Sequence, residues 1–143
     1  MNNWFDWYCK KLGEQKDGAM YRGRYLCPCC FMPTLFERRN FGICVLCSWE
    51  DDGQDSDDAS EVRGGPNRDY SLAEARANFA VHLTMYRPND KHAFECGTAN
   101  KEARSALHAS FGRAIESNEK SDWLAALKLE KAFKRMSIAS FNS

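Results

Sequence analysis

The sequence predicts an α+β fold, a small cysteine-stapled β-hairpin module packed with three to four α-helices, and three observations predict it. Cys27, Cys30, Cys44 and Cys47 stand in the pattern C-x2-C-x13-C-x2-C. The residues between the two pairs include Thr34-Leu35-Phe36-Glu37-Arg38 and Phe41-Gly42-Ile43, both β-prone and hinged at Arg39-Asn40, which reads as a hairpin. Elsewhere apolar residues recur at helical spacing in four separate stretches. At 143 residues the chain is long enough to bury one modest core but not two large ones.

The cysteine pattern carries the strongest chemical signal. A C-x2-C pair lets two sulfurs meet one ion from a single tight turn, and two such turns complete a tetrahedron with no position open to water. That is the spacing of a four-thiolate zinc site, and it makes the hairpin module a zinc ribbon with Zn2+ as cofactor. Iron fits the same cage chemically, but zinc is redox-silent and commoner in such ribbons. A lone C-x-x-C can also be a thioredoxin-like redox motif, yet a second pair follows here and no βαβ frame surrounds either. Cys29 lies between the first two ligands and is open to three readings: exchange with Cys30, a buried thiol, or a reactive one. A thiolate beside a doubly negative zinc-tetrathiolate is disfavoured by like charge, which favours an inert role. Phe31 and Ser48 occupy the positions after each pair where glycine is common.

Composition narrows the rest. Hydrophobic residues make up 43% and aromatics 13%, with 20 Lys and Arg against 20 Asp and Glu, so wholesale disorder is excluded. Residues 25–70 hold nine acidic side chains against four basic ones, which argues against a phosphate-binding footprint on the metal module. Seven cysteines is an odd number, the start Met1-Asn2-Asn3-Trp4-Phe5-Asp6 lacks the basic and apolar regions of a secretory signal, and no apolar run approaches a membrane span. The expectation is a cytoplasmic protein, with no membrane contact and with Cys9, Cys29 and Cys96 as reduced thiols outside the ligand set.

In chain order, Asn3 caps a first helix whose Trp4, Phe5, Tyr8 and Leu12 share a face, bounded by Gly13 and Gly18. Trp7 points off that stripe and is the candidate for an exposed contact. Tyr21 to Leu26 reads as an extended arm into the first cysteine pair. Ser71-Leu72-Ala73-Glu74 is a capping box opening a helix with Leu72, Ala75, Phe79, Leu83 and Tyr86 on one face, ended by Pro88. Residues 88–98 form a connector in which His92, Phe94 and Cys96 make a short extended piece. A third helix, starting near Thr98 or Asn100, aligns Ala103, Leu107, Phe111, Ala114 and Ile115. Ser121 caps a fourth, with Ala126, Leu129, Phe133 and Met136 on one side and Lys128, Lys131 and Arg135 on another. That basic stripe reads as a solvated face complementing the helix dipole ahead of a phosphate reader.

Between the module and the second helix runs an acidic stretch that includes Glu50, Asp51, Asp52, Asp55, Asp57 and Asp58, interleaved with Gly, Ser and Gln. It reads as a solvated loop, or as a docking surface for a basic partner together with Trp7. It lacks the glycine and terminal glutamate offsets of a calcium loop. An enzyme needs a nucleophile with a base, or a metal with an open position. His82, His92 and His108 show no mutual ligand spacing, and no phosphate loop, dinucleotide fingerprint or G-x-S-x-G is present. No catalytic residue is assigned.

These residues meet a family. Tyr25-Leu26-Cys27-Pro28-Cys29-Cys30, then Cys44-Val45-Leu46-Cys47-Ser48-Trp49-Glu50-Asp51-Asp52, then Arg63-Gly64-Gly65-Pro66-Asn67 and Ser71-Leu72-Ala73-Glu74-Ala75-Arg76-Ala77-Asn78-Phe79 resemble the cysteine-rich CPCC family over about residues 20–87. The resemblance implies a small zinc-ribbon-like module with a helix packed behind it, and no established activity. The expected organisation is an N-terminal aromatic helix at 1–20, the zinc-binding module at 21–87 and a C-terminal helical extension at 88–143, packed as one compact unit. The expected function is a non-catalytic zinc protein that binds another protein, in its most specific form an immunity protein neutralising a basic toxin. A zinc-ribbon nucleic-acid binder is the alternative, and a metal-assisted enzyme comes third.

Overall fold

The structure is a computed structural model that describes residues 3–15, 17–92 and 101–142. Helix α1 spans Trp4–Glu14, strands β1, β2 and β3 span Met20–Tyr21, Arg24–Leu26 and Pro33–Leu35, and a 3-10 turn spans Gly65–Asn67. Three longer helices follow, α2 at Leu72–His82, α3 at Lys101–Ser117 and α4 at Lys120–Asn142. The architecture is therefore α+β, as expected. Of the expected connector at 88–98, residues 88–92 are described, the His92 amide donating to Asp90 at 2.9 Å, while Phe94, Cys96 and the start of the third helix at Thr98 or Asn100 lie outside the described residues.

The strands form one antiparallel sheet in the order β1-β2-β3. Tyr21 to Leu26 is not a plain arm. Tyr21 faces Arg24 across a two-residue turn in which Arg22 and Gly23 have φ of 49° and 82°. Two successive positive φ values match the twist of flanking strands, which is why a glycine sits in that turn. The hairpin expected between the cysteine pairs is also placed differently. Pro33 and Leu35 pair backwards with Leu26 and Tyr25 of β2, Thr34 falling at the irregularity between them, whereas Phe41, Gly42 and Cys44 pair forwards with Asp51 and Trp49. Each cysteine pair is thus itself the turn of a hairpin. A chelating turn brings its two flanks antiparallel, and this local closure wins over pairing of the intervening stretch.

Helix α1 starts where the cap predicts, with Asn3 Oδ1 accepting from the Asp6 amide at 3.1 Å. Its inward face is rotated from the expected one. Tyr8 is fully buried, but Phe5 is 42% exposed. Trp7, expected as an exposed contact, is half-buried instead, its ring 5.5 Å from Trp4 and 6.2 Å from Tyr21. The cause is β1, which packs Tyr21 against that side of the helix.

Ser71 Oγ accepts from the Glu74 amide at 3.0 Å and so caps α2, but the Glu74 carboxylate turns outward to a two-pronged pair with Arg87 at 2.5 and 2.6 Å. The helix stops before Tyr86, because Leu83 takes the left-handed conformation at φ 61° and returns its amide to Phe79 O. Leu72, Ala75 and Phe79 are buried. Replacing Ser71 by Ala should therefore cost about 1 kcal/mol, and Phe79 by Ala about 3–5 kcal/mol, both read from thermal melts of the metal-replete protein. An unchanged melt for Phe79→Ala would move that face from core to surface.

Helices α3 and α4 form an antiparallel hairpin across Asn118 and Glu119. Ser117, rather than Ser121, shapes the junction: its Oγ accepts from the Glu119 amide at 3.1 Å and donates to Asp122 at 2.6 Å. Leu107, Phe111 and Ala114 meet Trp123, Ala126 and Phe133 in the same buried cluster that contains the cysteines, Trp49 and the inner face of α2. Polar ties fix the sheet to this hairpin, among them Tyr21 Oη to Ala114 O at 3.2 Å, Arg22 to Asn118 O at 2.8 Å and Arg24 to the buried Glu130 at 2.7 Å. Trp4 reaches across from α1 onto Gly112, where a Cβ would approach its ring to 3.1 Å.

Candidate metal centre

The two knuckles are built alike. Phe31 N returns to Cys27 O at 2.8 Å and Ser48 N to Cys44 O at 2.9 Å, closing a turn over each pair of cysteines. Backbone amides then point at sulfur: Cys29 N lies 3.4 Å from Cys27 Sγ, Cys47 N 3.5 Å from Cys44 Sγ, and Trp49 N 3.5 Å from Cys47 Sγ. Phe31 and Ser48 follow their knuckles at φ 70° and 74°. The turn demands the left-handed region that glycine fills without strain, and this chain meets it with two residues that carry a Cβ. At Phe31 the ring is put to use, lying 5.0 Å from Tyr8 and 5.7 Å from Phe5 and so anchoring α1 to the first knuckle.

The four sulfurs, Cys27, Cys30, Cys44 and Cys47, all lie within 4.8 Å of one another and are buried. Cys27 to Cys47 and Cys30 to Cys44 are each 3.6 Å apart. A disulfide needs about 2.05 Å, so these are separate thiols. A tetrahedral ion with Zn–S of about 2.3 Å sets its sulfurs about 3.8 Å apart, which the cluster fits. Burial pushes the thiols of Cys27, Cys30 and Cys47 well above the ordinary range. At Cys44 burial opposes ionisation too, but hydrogen bonds from the other three thiols and from Thr34 Oγ1, 3.0 Å away, bring it well below that range. A divalent cation displaces the remaining protons, and its affinity accordingly rises with pH. Cys29 is buried and outside the quartet, its thiol pushed up by burial.

The acidic stretch is used inside the fold. Asp51 is 1% exposed and accepts from Arg38 Nε at 2.8 Å, Arg39 N at 2.7 Å and Gly53 N at 3.2 Å. Asp55 accepts from Tyr8 Oη at 2.7 Å, Arg38 at 3.3 Å and Arg76 at 3.5 Å, so one carboxylate joins α1, the segment between the knuckles and α2. Asp52 takes the Gln54 amide at 3.0 Å, and Asp58 takes the Asp55 amide at 2.9 Å and an ion pair from Arg63. Glu50 is half-buried with its backbone clasped by Asn67, which leaves Asp57 as the exposed member of the six. These pairings bury Asp51 and hold Glu50, Asp52, Asp55 and Asp58 partly covered, so the stretch is not the freely solvated loop that its composition suggests. Local charge density in a sequence does not reveal cations that return from a distance.

Beside the first knuckle lies a cleft of about 570 Å³ whose walls include Trp4, Phe5, Phe31, Arg76, Phe79 and His108. The Arg76 guanidinium stands over Phe5 at 5.4 Å and Phe31 at 5.2 Å and donates to Pro28 O at 2.8 Å. Burial lowers the pKa of His108, whose ring meets Phe79 edge-on at 5.3 Å. The position of Arg76 within the second helix pattern gives no hint of this role; only the tertiary contacts do.

A β-hairpin module holding four convergent buried thiols, backed by helices, defines a small α+β protein with a closed four-cysteine metal site compatible with zinc. A family profile described as "Cysteine-rich CPCC" matches residues 25–102, more than half of the 143, and the chain belongs to that family. The match runs past residue 87, where the resemblance in the sequence fades, to the start of α3. No curated protein and no solved structure matches the chain. Among the described residues no helix is long and apolar enough to cross a membrane.

Proposed function

We propose that this is a non-catalytic zinc-binding protein whose metal module is the scaffold for binding another protein, with neutralisation of a toxin, an immunity role, as its most specific form. The observation that supports the reading is the pairing of a closed site with an aromatic cleft. Four cysteines fill a tetrahedron and leave no position for a reacting water, so the metal's contribution is rigidity. The adjacent cleft gathers Trp4, Phe5, Phe31 and Arg76, the residue types that dominate binding energy at interfaces, on elements pinned by the knuckle. The acidic stretch, being internally paired, leaves steering of a basic partner to Asp57 and contributes through the rigidity of the cleft instead.

The test begins with a partner captured by the metal-replete protein and then purified. Binding of that partner by wild type and by Phe5→Asp is measured by calorimetry. Phe5 is 42% exposed but touches Phe31 and Arg76, so the variant is compared at a temperature where its melt shows it fully folded, and there it should bind at least about 10-fold more weakly. Equal affinity would take the cleft out of the interface. Failure of the protein to relieve the partner's effect on growing cells would remove the immunity form and leave the general one.

A further inference from the structure

Helix α4 carries a face that the metal module and its cleft do not use. Lys120, Leu124, Lys128, Lys131 and Arg135 are all exposed. At 3.6 residues per turn these positions fall within an arc of about 80° on the side away from the buried Trp123, Ala126, Glu130 and Phe133. From first to last the row is about 22 Å long at 1.5 Å per residue. The acids of α4 in this range lie on other sides, Asp122 held by Ser117 and Glu130 by Arg24 and Lys134. Among the described residues no ion pair or hydrogen bond engages Lys120, Lys128, Lys131 or Arg135, in contrast to Arg38, Arg63, Arg76 and Arg87, whose carboxylate partners are close. Arg22 adds a cation at the N-terminal end of the row, tied at 2.8 Å to Asn118 O, opposite the exposed Glu119 of the same turn.

We propose that this face binds the phosphate backbone of double-stranded nucleic acid without reading its sequence. Four unpaired cations in a line and no acid among them match a rod that carries one negative charge per about 1.7 Å of axis. The row has no aromatic side chain, so it offers nothing for unpaired bases to stack on, which favours a duplex over a single strand. The apolar side of α4 is committed to the core, so the helix cannot lie in a membrane interface. This inference does not rest on the cleft or on a protein partner, and its test touches neither.

The experiment is fluorescence anisotropy of the full, metal-replete chain with a 20-base-pair DNA duplex between 50 and 200 mM KCl. Four phosphate contacts predict a slope of log K against log salt of about −3.6, or about 100-fold weaker binding across that range. Lys128→Ala with Lys131→Ala should reduce the slope by about 1.8 and weaken binding equally for unrelated sequences. Lys10→Ala with Lys11→Ala, on α1, should leave it as it was. Lys10, Lys128 and Lys131 are exposed, and half-buried Lys11 loses only a surface pair with Glu14, so circular dichroism melts should coincide closely. No binding at 50 mM salt, a slope indifferent to Lys128 and Lys131, tighter binding to single strands, or binding to phosphatidylserine vesicles without binding to the duplex would each overturn the proposal.

Discussion

Cys27→Ser, Cys30→Ser, Cys44→Ser and Cys47→Ser should each lose the metal and unfold the two knuckles, whereas Cys29→Ser should keep one zinc per chain. The size of the effect follows from what holds this region together. The strands are two to three residues long, too short to stand by themselves. Four buried thiols meet one another where another protein of this size would place aliphatic side chains. Binding energy in such sites is folding energy, with apparent values of about 10–16 kcal/mol for the whole structural zinc site, comparable with the roughly 5–15 kcal/mol that holds a domain folded, so a variant that loses the ion loses the fold of this region. Metal analysis after gel filtration gives the stoichiometry, and near-ultraviolet circular dichroism around Trp49 reports the fold. Bound iron would show itself by visible absorption and would change the cofactor but not the ligands. A Cys29→Ser protein without metal would overturn the assignment, since Cys29 lies outside the quartet of convergent sulfurs.

What was legible beforehand divides along physical lines. The convergence of the four cysteines could be read because chelation by a tight turn needs fixed spacing, and the inner faces of α3 and α4 because Leu107, Phe111, Ala126 and Phe133 repeat at helical intervals. The hairpins were misplaced because β-propensity marks Thr34-Leu35 and Phe41 to Ile43 without naming their partners, which the knuckles choose. Leu83 ended α2 early through a left-handed conformation that leucine rarely adopts, so no residue type announced it. The largest gap was electrostatic. Arg38, Arg76 and Tyr8 come from three separate elements to meet Asp51 and Asp55, and nothing local to the acidic stretch foretells their arrival.

Asp51→Ala should destabilise the protein by about 3–5 kcal/mol, while Asp57→Ala should change stability by less than about 0.5 kcal/mol. The contrast lies in what each carboxylate leaves behind. The Arg38 side chain is 5% exposed and that of Asp51 1%, so removing Asp51 strands a buried guanidinium together with the Arg39 and Gly53 amides. Asp55 remains near Arg38 at 3.3 Å, but it already serves Tyr8 and Arg76 and offers only part of the compensation. Asp57 is exposed and leaves nothing unpaired. Urea unfolding at saturating zinc measures both, with the metal content checked so that loss of the ion is not mistaken for loss of the pair. The same comparison governs how any partner surface is mapped here. Reversing charge at Asp51, Asp52, Asp55, Asp57 and Asp58 together would break the fold before it reported on an interface, so only the Asp57 reversal reads association cleanly. Equal, small effects at Asp51 and Asp57 would mean that the Arg38 network is open to solvent, and the stretch would then return as a candidate docking surface.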